Sequence, residues 1–430
     1  MIALFRLAWQ SAWNRRFTLA LTIFSIALST FMLLGVERIR TDVRNGFTSA
    51  ISGTDLVVGA RTGSVQLLLY SVFRIGSATN NIRFSSVQAI EGMRGVDWVV
   101  PISLGDSHRG FPVVGTSAAY FEHFRYGQRQ ALHVRESQAK LPPDGNPLAG
   151  ADLYDAVLGA EVARQLGYRL GQRIVLSHGS GPIQLTEHDD KPFTVAAILA
   201  PTGTPVDRSV HISLEAMEAL HVDWRSGMRI PGKNVDAQAV REMDLRPRNV
   251  TALLVGLQSR AQVFSVQRQI NSFRAEPLMA VLPGVALDEL WGLIGTGERS
   301  LLLMSALVAF VSLLGMVAVV LAGLNERRRE LAVLRAVGAR PGHVVGLLAI
   351  EGALTTAAGI VLGVLALTLA VLAAAPWLLE RFGLIVTLGE VTPLQGWMLL
   401  GLLLTGFLAS LAPGWRAYRL SLVDGLSPPV

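Results

Sequence analysis

Cysteine is absent from the 430 residues, and lysine occurs only three times, at Lys140, Lys191 and Lys233. Without a thiol there is no disulfide framework, no thiolate metal site and no catalytic cysteine, although zero cysteine is compatible with either side of a membrane. Charge is also scarce: 16% of the residues are charged, against about 25% in an ordinary soluble domain. A purely cytosolic globular enzyme fits that figure poorly. The chain is instead 51% apolar, with a mean hydropathy of +0.43, so part of it belongs in lipid. The length also allows a sizeable water-exposed part with its own core.

The basic residues are almost all arginine and give a net charge of +6 at pH 7. They stand in short runs beside hydrophobic stretches instead of covering one face, which suits membrane orientation and not nucleic acid. Phe17 to Val36 carries no charge and is bounded by Arg15-Arg16 and Glu37-Arg38. At a rise of about 1.5 Å per residue it covers the roughly 30 Å hydrocarbon layer. It is too long for a signal-peptide core and is read as an uncleaved anchor. Ser300 to Leu324, Val344 to Ala375 ended by Pro376, and Pro393 to Leu411 ended by Pro413 are the next such runs. Arg6, Arg15 and Arg16 precede the first span, five arginines from Arg327 to Arg340 fill the loop between the second and third, and Arg416 and Arg419 follow the fourth. The positive-inside rule then makes both termini cytoplasmic and turns residues 37–299 outward.

The outer segment reads as mixed α/β. Runs such as Asp55–Val58, Trp98–Ile102, Arg173–Ser177, Phe193–Leu199 and Thr251–Leu257 alternate with helical stretches around Ser85–Met93, Ala160–Leu166, Leu214–Leu220 and Ala261–Phe273. Lys140 to Gly150, rich in proline and glycine, suits a connection between subdomains, and Gly227 to Asp236 is a second irregular stretch. Val65, Leu67, Leu68, Leu69, Tyr70, Val72 and Phe73 lie in one segment, read as a core helix in preference to an exposed contact. At the two ends of the domain, Val36, Ile39, Val43 and Phe47, and Leu287, Leu290, Trp291 and Ile294, recur at helical spacing. Arg38, Arg40 and Arg44 accompany the first set, and Asp288, Glu289 and Glu298 the second. Two amphipathic helices that leave the membrane and pair as a stalk are therefore expected.

Little chemistry is written in this chain. Gly227 to Asn234 reads GMRIPGKN, but Asn234 stands where a phosphate loop needs Ser or Thr for magnesium, Pro231 interrupts it, and no apolar strand leads in. No nucleotide site is expected here. No Gly-x-Ser-x-Gly elbow or His-Glu-x-x-His pair occurs. His178, His188, Asp189 and Asp190 lie close together, with His211 and His221 further on. Imidazoles and carboxylates are zinc-type ligands, yet solvated His and Asp in a polar turn are commoner. The expectation is no bound metal, with His178, His188 and Asp189 as the candidates should one exist. Glu351, near the start of the third span, is read as pairing with Arg340 and not as a proton relay. Gly359 and Gly363 form a Gly-xxx-Gly step whose ordinary meaning is close helix packing.

The segment Asn325 to Glu351 reads NERRRELAVLRAVGARPGHVVGLLAIE. Leu331, Leu334 and Val337 form one helical face, Glu326, Arg328, Arg329, Glu330 and Arg335 cover the rest, and Gly338 supplies a stop before Pro341. A compact amphipathic helix at the cytoplasmic surface of this kind suits a groove on a soluble partner.

Here the sequence resembles the permease family of MacB, the lipoprotein-releasing LolC/LolE proteins and FtsX. The positions carrying the likeness are Arg327, Glu330, Leu331, Leu334, Arg335, Ala336, Val337, Gly338, Ala339 and Glu351. Ala156 to Leu176, Phe193 to Gly203 and the tail Trp415 to Pro428 are similar to further family segments; Arg61 to Ile82 and Lys140 to Asp152 depart from it. The resemblance implies a permease subunit, homodimeric or heterodimeric, that works with a separately encoded cytoplasmic ABC ATPase. ATP and magnesium would then sit on that partner, with no cofactor on this chain, in a bacterial inner membrane. A periplasmic or outer-membrane partner is also implied for some members.

The expected layout is a cytoplasmic helix and first span (1–36), a periplasmic α/β domain (37–299), a second span (300–324), a coupling helix (325–343), a third span (344–375), a short hairpin (376–392), a fourth span (393–411) and a cytoplasmic tail (412–430). The leading expectation is ATP-driven motion of the periplasmic domain for export or extraction of a substrate. Two others stand beside it: an FtsX-like signalling subunit that activates a periplasmic partner, and a metal- or ion-coupled secondary carrier.

Overall fold

The computed structural model describes residues 16–138, 145–179, 186–222, 237–326, 340–382 and 392–419, together with 142, 224–225, 228–229 and 338. It divides into two units: residues 1–42, 295–377 and 386–430 form one, and residues 43–294 with 378–385 the other.

The membrane unit is built on helices α1 (Arg16–Ser49), α7 (Pro283–Glu326), α8 (Pro341–Phe382) and α9 (Pro393–Arg419). Each contains a stretch long and apolar enough to cross a bilayer, with mean hydropathies of 2.2, 2.5, 2.5 and 1.7 in chain order. Their apolar side chains point outward: Leu303, Leu369 and Trp397 are 69%, 66% and 70% exposed, as lipid-facing residues are. The contacts between helices use small and hydroxyl-bearing residues. A Cβ at Gly359 would lie 2.7 Å from the Ile26 side chain, and one at Gly363 would lie 2.6 Å from the Ala27 carbonyl oxygen, so the Gly-xxx-Gly step brings α8 against α1. The Ser29 and Ser312 hydroxyls meet at 2.7 Å.

Two of the expected helix ends are corrected. Pro376 lies inside α8, which runs on to Phe382, and Pro413 lies inside α9, which runs on to Arg419. A proline removes only one N–H donor, so the helix can continue past it with a local bend.

The other unit holds, among the described residues, a twelve-stranded mixed sheet. Its strands are β1 (Leu56–Ala60), β2 (Val96–His108), β3 (Phe111–Thr116), β4 (Val134–Ser137), β5 (Asp155–Leu158), β6 (Arg173–Ile174), β7 (Ser177–His178), β8 (Thr186–Glu187), β9 (Phe193–Leu199), β10 (Val210–Ser213), β11 (Ala252–Leu257) and β12 (Leu278–Val281). The main path is β12-β1-β11-β2-β3-β10-β5-β9-β4; β7 pairs with both β2 and β8, and β6 with β9. Strands β3 and β10, and β5 and β9, are parallel, while the remaining neighbours are antiparallel. Helices α2 (Ser64–Ser71), α3 (Phe84–Glu91), α4 (Ala160–Leu166), α5 (Leu214–His221) and α6 (Val263–Asn271) cover it.

Strand β1 carries no polar side chain because both of its faces are covered: all five of its residues are buried. One core gathers β1, β11 and β12 with α3 and α6, and a second gathers β5, β9 and β10 with α4 and α5. A third takes in α2, so Leu67, Leu68, Tyr70, Val72 and Phe73 are core residues, as expected. The run Arg173–Ser177 is not one strand but the whole of β6 and the first residue of β7, because Val175 and Leu176 leave the ladder between them. The expected linker after Lys140 falls between β4 and β5; residues 139–141 and 143–144 lie outside the described residues, as do residues 230–236 of the second irregular stretch.

Candidate functional site

Three imidazoles and one carboxylate converge in the outer domain. Asp106, His178, His188 and His221 each offer one ligand atom, and these four atoms lie within 4.8 Å of one another. Asp106 sits on β2 next to Gly105, at an irregularity where the β2–β3 register shifts between Leu104 and Ser107. A bulge of this kind re-aims a side chain. His178 is the residue directly opposite Asp106 in the β7–β2 pairing. His188 follows β8, its backbone N–H held by the Leu176 carbonyl at 2.8 Å. His221 is the last residue of α5, whose N-terminus is capped by Ser213 accepting from the Ala216 N–H at 3.0 Å.

The distances are short for groups from four separate places in the chain. Asp106 Oδ1 lies 3.0 Å from His178 Nδ1, 3.5 Å from His221 Nε2 and 4.0 Å from His188 Nε2. His221 Nε2 and His178 Nδ1 are 3.2 Å apart. The other nitrogen of His221, Nδ1, is 2.9 Å from the Met217 carbonyl oxygen one turn back. Asp106 and His188 are each 1% exposed, whereas the His178 and His221 side chains keep 26% and 30% of their surface.

The electrostatics follow from that packing. Burial by itself would push the Asp106 carboxyl up; the hydrogen bonds it accepts from His178 and His221 and the charge of His221 and His188 outweigh burial and hold it below the usual carboxylate range. His188 is brought down to about 4, chiefly by burial and against the pull of Asp106. Burial also disfavours the charged form of His221, but its hydrogen bond to Asp106 and the carboxylate charge raise it above the ordinary value. Chemically the arrangement suits holding one cation or a shared proton. No nucleophile stands in it.

Of the candidates read from sequence, His178 and His188 are in this cluster and Asp189 is not: it is exposed in the following turn. The carboxylate comes from Asp106, on a strand 72 residues before His178. His211 is elsewhere, buried on β10 against the Tyr120 and Phe121 rings.

The residues expected to form a stalk are distributed over both units. In the outer unit, Phe47 meets Trp291 edge-on with centroids 5.6 Å apart and packs on Phe73 at 4.4 Å. Leu287 and Leu290 are buried in the same core, Val43 is half-buried, and Arg44 reaches Asp288 at 3.8 Å. Ser64 Oγ donates to Glu289. Ile294 is 45% exposed. In the membrane unit, Ile39 is 60% exposed and Arg40 approaches Glu298 at 3.9 Å. Of the coupling segment, Glu326 ends α7 and Gly338 has a φ of 103°, a backbone conformation that favours glycine. Arg327, Arg328, Arg329, Glu330, Leu331, Leu334, Arg335 and Val337 lie outside the described residues.

Comparison with known proteins covers both units. Residues 19–273 match the MacB-like periplasmic core domain, and residues 302–422 match the FtsX-like permease C-terminal family. Among solved structures, the periplasmic region of MacB from Actinobacillus actinomycetemcomitans is similar at 9% identity and a TM-score of 0.32, over 57% of this chain and 97% of that one. The extracellular domain of the noncanonic ABC-type transporter YknZ from Gram-positive bacteria is similar at 12% identity and a TM-score of 0.30, over 53% of this chain and 98% of that one. No curated protein matches. With the first family model spanning more than half of the chain and the second covering its last three apolar helices, the protein belongs to the ABC transporter permeases of the MacB/FtsX type, membrane-inserted components that carry an extracytoplasmic domain and are not themselves catalytic.

Proposed function

We propose that this permease couples ATP hydrolysis on a separate cytoplasmic ATPase to movement of its extracytoplasmic domain, and so exports or extracts a substrate. The observation that carries the reading is the continuity of α1 and α7: each is a single helix containing both an apolar span and residues of the outer domain. A displacement at the membrane end of such a helix has no loop in which to dissipate. Phe47 packed on Trp291, with Leu287 and Leu290 beneath, anchors the two helices in the outer domain's own core.

In this reading ATP and magnesium belong to the partner, the segment from Glu326 to Gly338 docks on it, and two permeases act together in an inner membrane with both termini cytoplasmic. Support comes from the arginine distribution and from the lack of a phosphate-loop pattern in the sequence. The test is affinity purification from native membranes in mild detergent, with mass spectrometry and an ATPase assay. Co-purification of a cassette ATPase at near-equal stoichiometry, lost in Arg335→Glu, supports the reading. A chain that purifies intact without an ATPase overturns it. Turnover stimulated by a transported substrate, as opposed to a periplasmic enzyme, separates transport from signalling.

A further inference from the structure

We propose that Asp106, His178, His188 and His221 form a divalent transition-metal site in the outer domain, with zinc the ion their donor set fits best. Ligand atoms about 2.0 Å from a tetrahedral zinc ion stand roughly 3.3 Å from each other. Three of the spacings here are 3.0, 3.2 and 3.5 Å, and that from His188 to Asp106 is 4.0 Å. The four atoms all lie within 4.8 Å of one another, so one ion at the centre draws the widest-set pair together by at most roughly 1.5 Å.

The hydrogen bonding points the same way. With His221 Nδ1 placed to donate to the Met217 carbonyl, Nε2 is the ring atom turned toward the Asp106 carboxylate and toward His178 Nδ1. Three such converging atoms need a positive charge between them, which a metal ion supplies in place of the imidazole proton. An imidazole whose outer nitrogen donates to a backbone carbonyl, leaving its inner nitrogen as the donor atom, is the usual outer support of a metal-ligating histidine. Three neutral nitrogens and one carboxylate leave a bound divalent ion with a local charge of +1, which suits zinc and, by the general affinity order, copper, nickel or cobalt before magnesium or calcium.

The fold assigns the site a role. Its ligands come from β2, from β7, from the residue after β8 and from the end of α5, so an ion fastens the β7–β8 pair and the helix to the long central strand. The partial exposure of His178 and His221 lets the ion enter from the extracytoplasmic side. The site is thus a metal clamp on the domain that, in the proposed function, has to move.

The experiment uses the full-length chain in detergent with a tag free of histidine, stripped with chelator. Added zinc is measured by elemental analysis and by competition with a chromophoric chelator, and cobalt by visible absorption. Expected are one ion per chain, an intense tetrahedral cobalt spectrum and a thermal midpoint raised by zinc. Changes in outer-shell partners alone cost about 10–100-fold in affinity, so His178→Gln and His221→Gln should each weaken binding by at least ~100-fold. Both residues are partly exposed, so their metal-free midpoints should match that of the unaltered chain, and His123→Gln should bind as the unaltered chain does. Sub-stoichiometric zinc, a weak octahedral cobalt spectrum, or binding that survives His178→Gln with His221→Gln overturns the proposal and leaves a shared proton as the occupant.

Discussion

The two units solve the same packing problem with opposite surfaces. In the outer domain Leu56, Val57, Leu253 and Val255 are fully buried, while in the membrane unit leucines such as Leu303 and Leu369 face outward and the helix contacts combine Gly359, Gly363, Ser29 and Ser312 with a small apolar cluster of Ile26, Leu313, Met316 and Leu402. Water drives the first arrangement: apolar area removed from it is worth about 25 cal/mol per Å². Lipid tails offer no such gain, so the helices associate through close approach and satisfied hydroxyls. The same residue therefore has a different meaning on either side of the boundary near Val43 and Ile294.

The sharpest break of this contrast is Gly363→Leu. A side chain there runs into Ala27 and Thr30, and separation of α8 from α1 is expected to cost about 3 kcal/mol or more. Leu362→Ala, at a 49% exposed neighbour, should be nearly silent. Thermal unfolding in detergent checks both, and equal midpoints for the two variants would contradict the packing. Next comes the outer core: Leu254→Ala, at a residue 3% exposed, is expected to cost about 2–5 kcal/mol, whereas Leu303→Ala at a lipid-facing position should cost under about 0.5 kcal/mol.

Acid should separate the units as well. His211 is held near 3 because burial penalises its charged form and Arg74 repels it, against an ordinary value of 6.5. The unfolded chain takes up this proton first, so stability is lost as pH falls from about 6.5 toward 3. The groups around it are Arg74, Tyr120 and Phe121, on segments packed against β10. His188 and Asp106 act in the same direction and His221 in the opposite one. The outer domain should thus unfold several degrees earlier at about pH 5 than at about pH 7.5, with a shallower dependence in His211→Asn. An unchanged midpoint across that range would contradict a neutral buried His211.

Between the two helices inside the outer unit, the expected effects are smaller. A double-mutant cycle on Phe47→Ala and Trp291→Ala should give a coupling of about 1 kcal/mol from their edge-on contact. The same cycle on Arg44→Ala and Asp288→Ala should give at most about 0.5 kcal/mol, since the side chains are 53% and 79% exposed. A larger charge coupling than aromatic coupling would mean that electrostatics, and not packing, holds the two helices together.

Most of the architecture is legible in the residue pattern because it depends on local period and composition. Twenty uncharged residues are long enough to span a bilayer, and the short apolar run around Thr251–Leu257 suits a buried strand without reference to its neighbours. Pro376 and Pro413 do not end their helices, because a proline removes a single N–H donor and leaves the rest of the hydrogen-bond ladder intact. The stalk was half legible: the spacing of Phe47 and Trp291 marked a buried face, but the same spacing at Ile39 and Ile294 did not bury them.

The histidine cluster shows where sequence reading stops. His178 and His188 drew notice through proximity in the chain, and proximity wrongly recruited Asp189, which lies exposed in the next turn. Asp106 and His221 have no local signature, since a β-pairing opposite His178 and the last turn of α5 bring them in. The sequence by itself determined the apolar spans and the mixed α/β character of the domain between the first and second of them, because hydrophobic period is a property of neighbouring residues. Only the tertiary structure decided which carboxylate joins the imidazoles, because strand register and a bulge beside Gly105 are set by contacts between segments far apart in the chain.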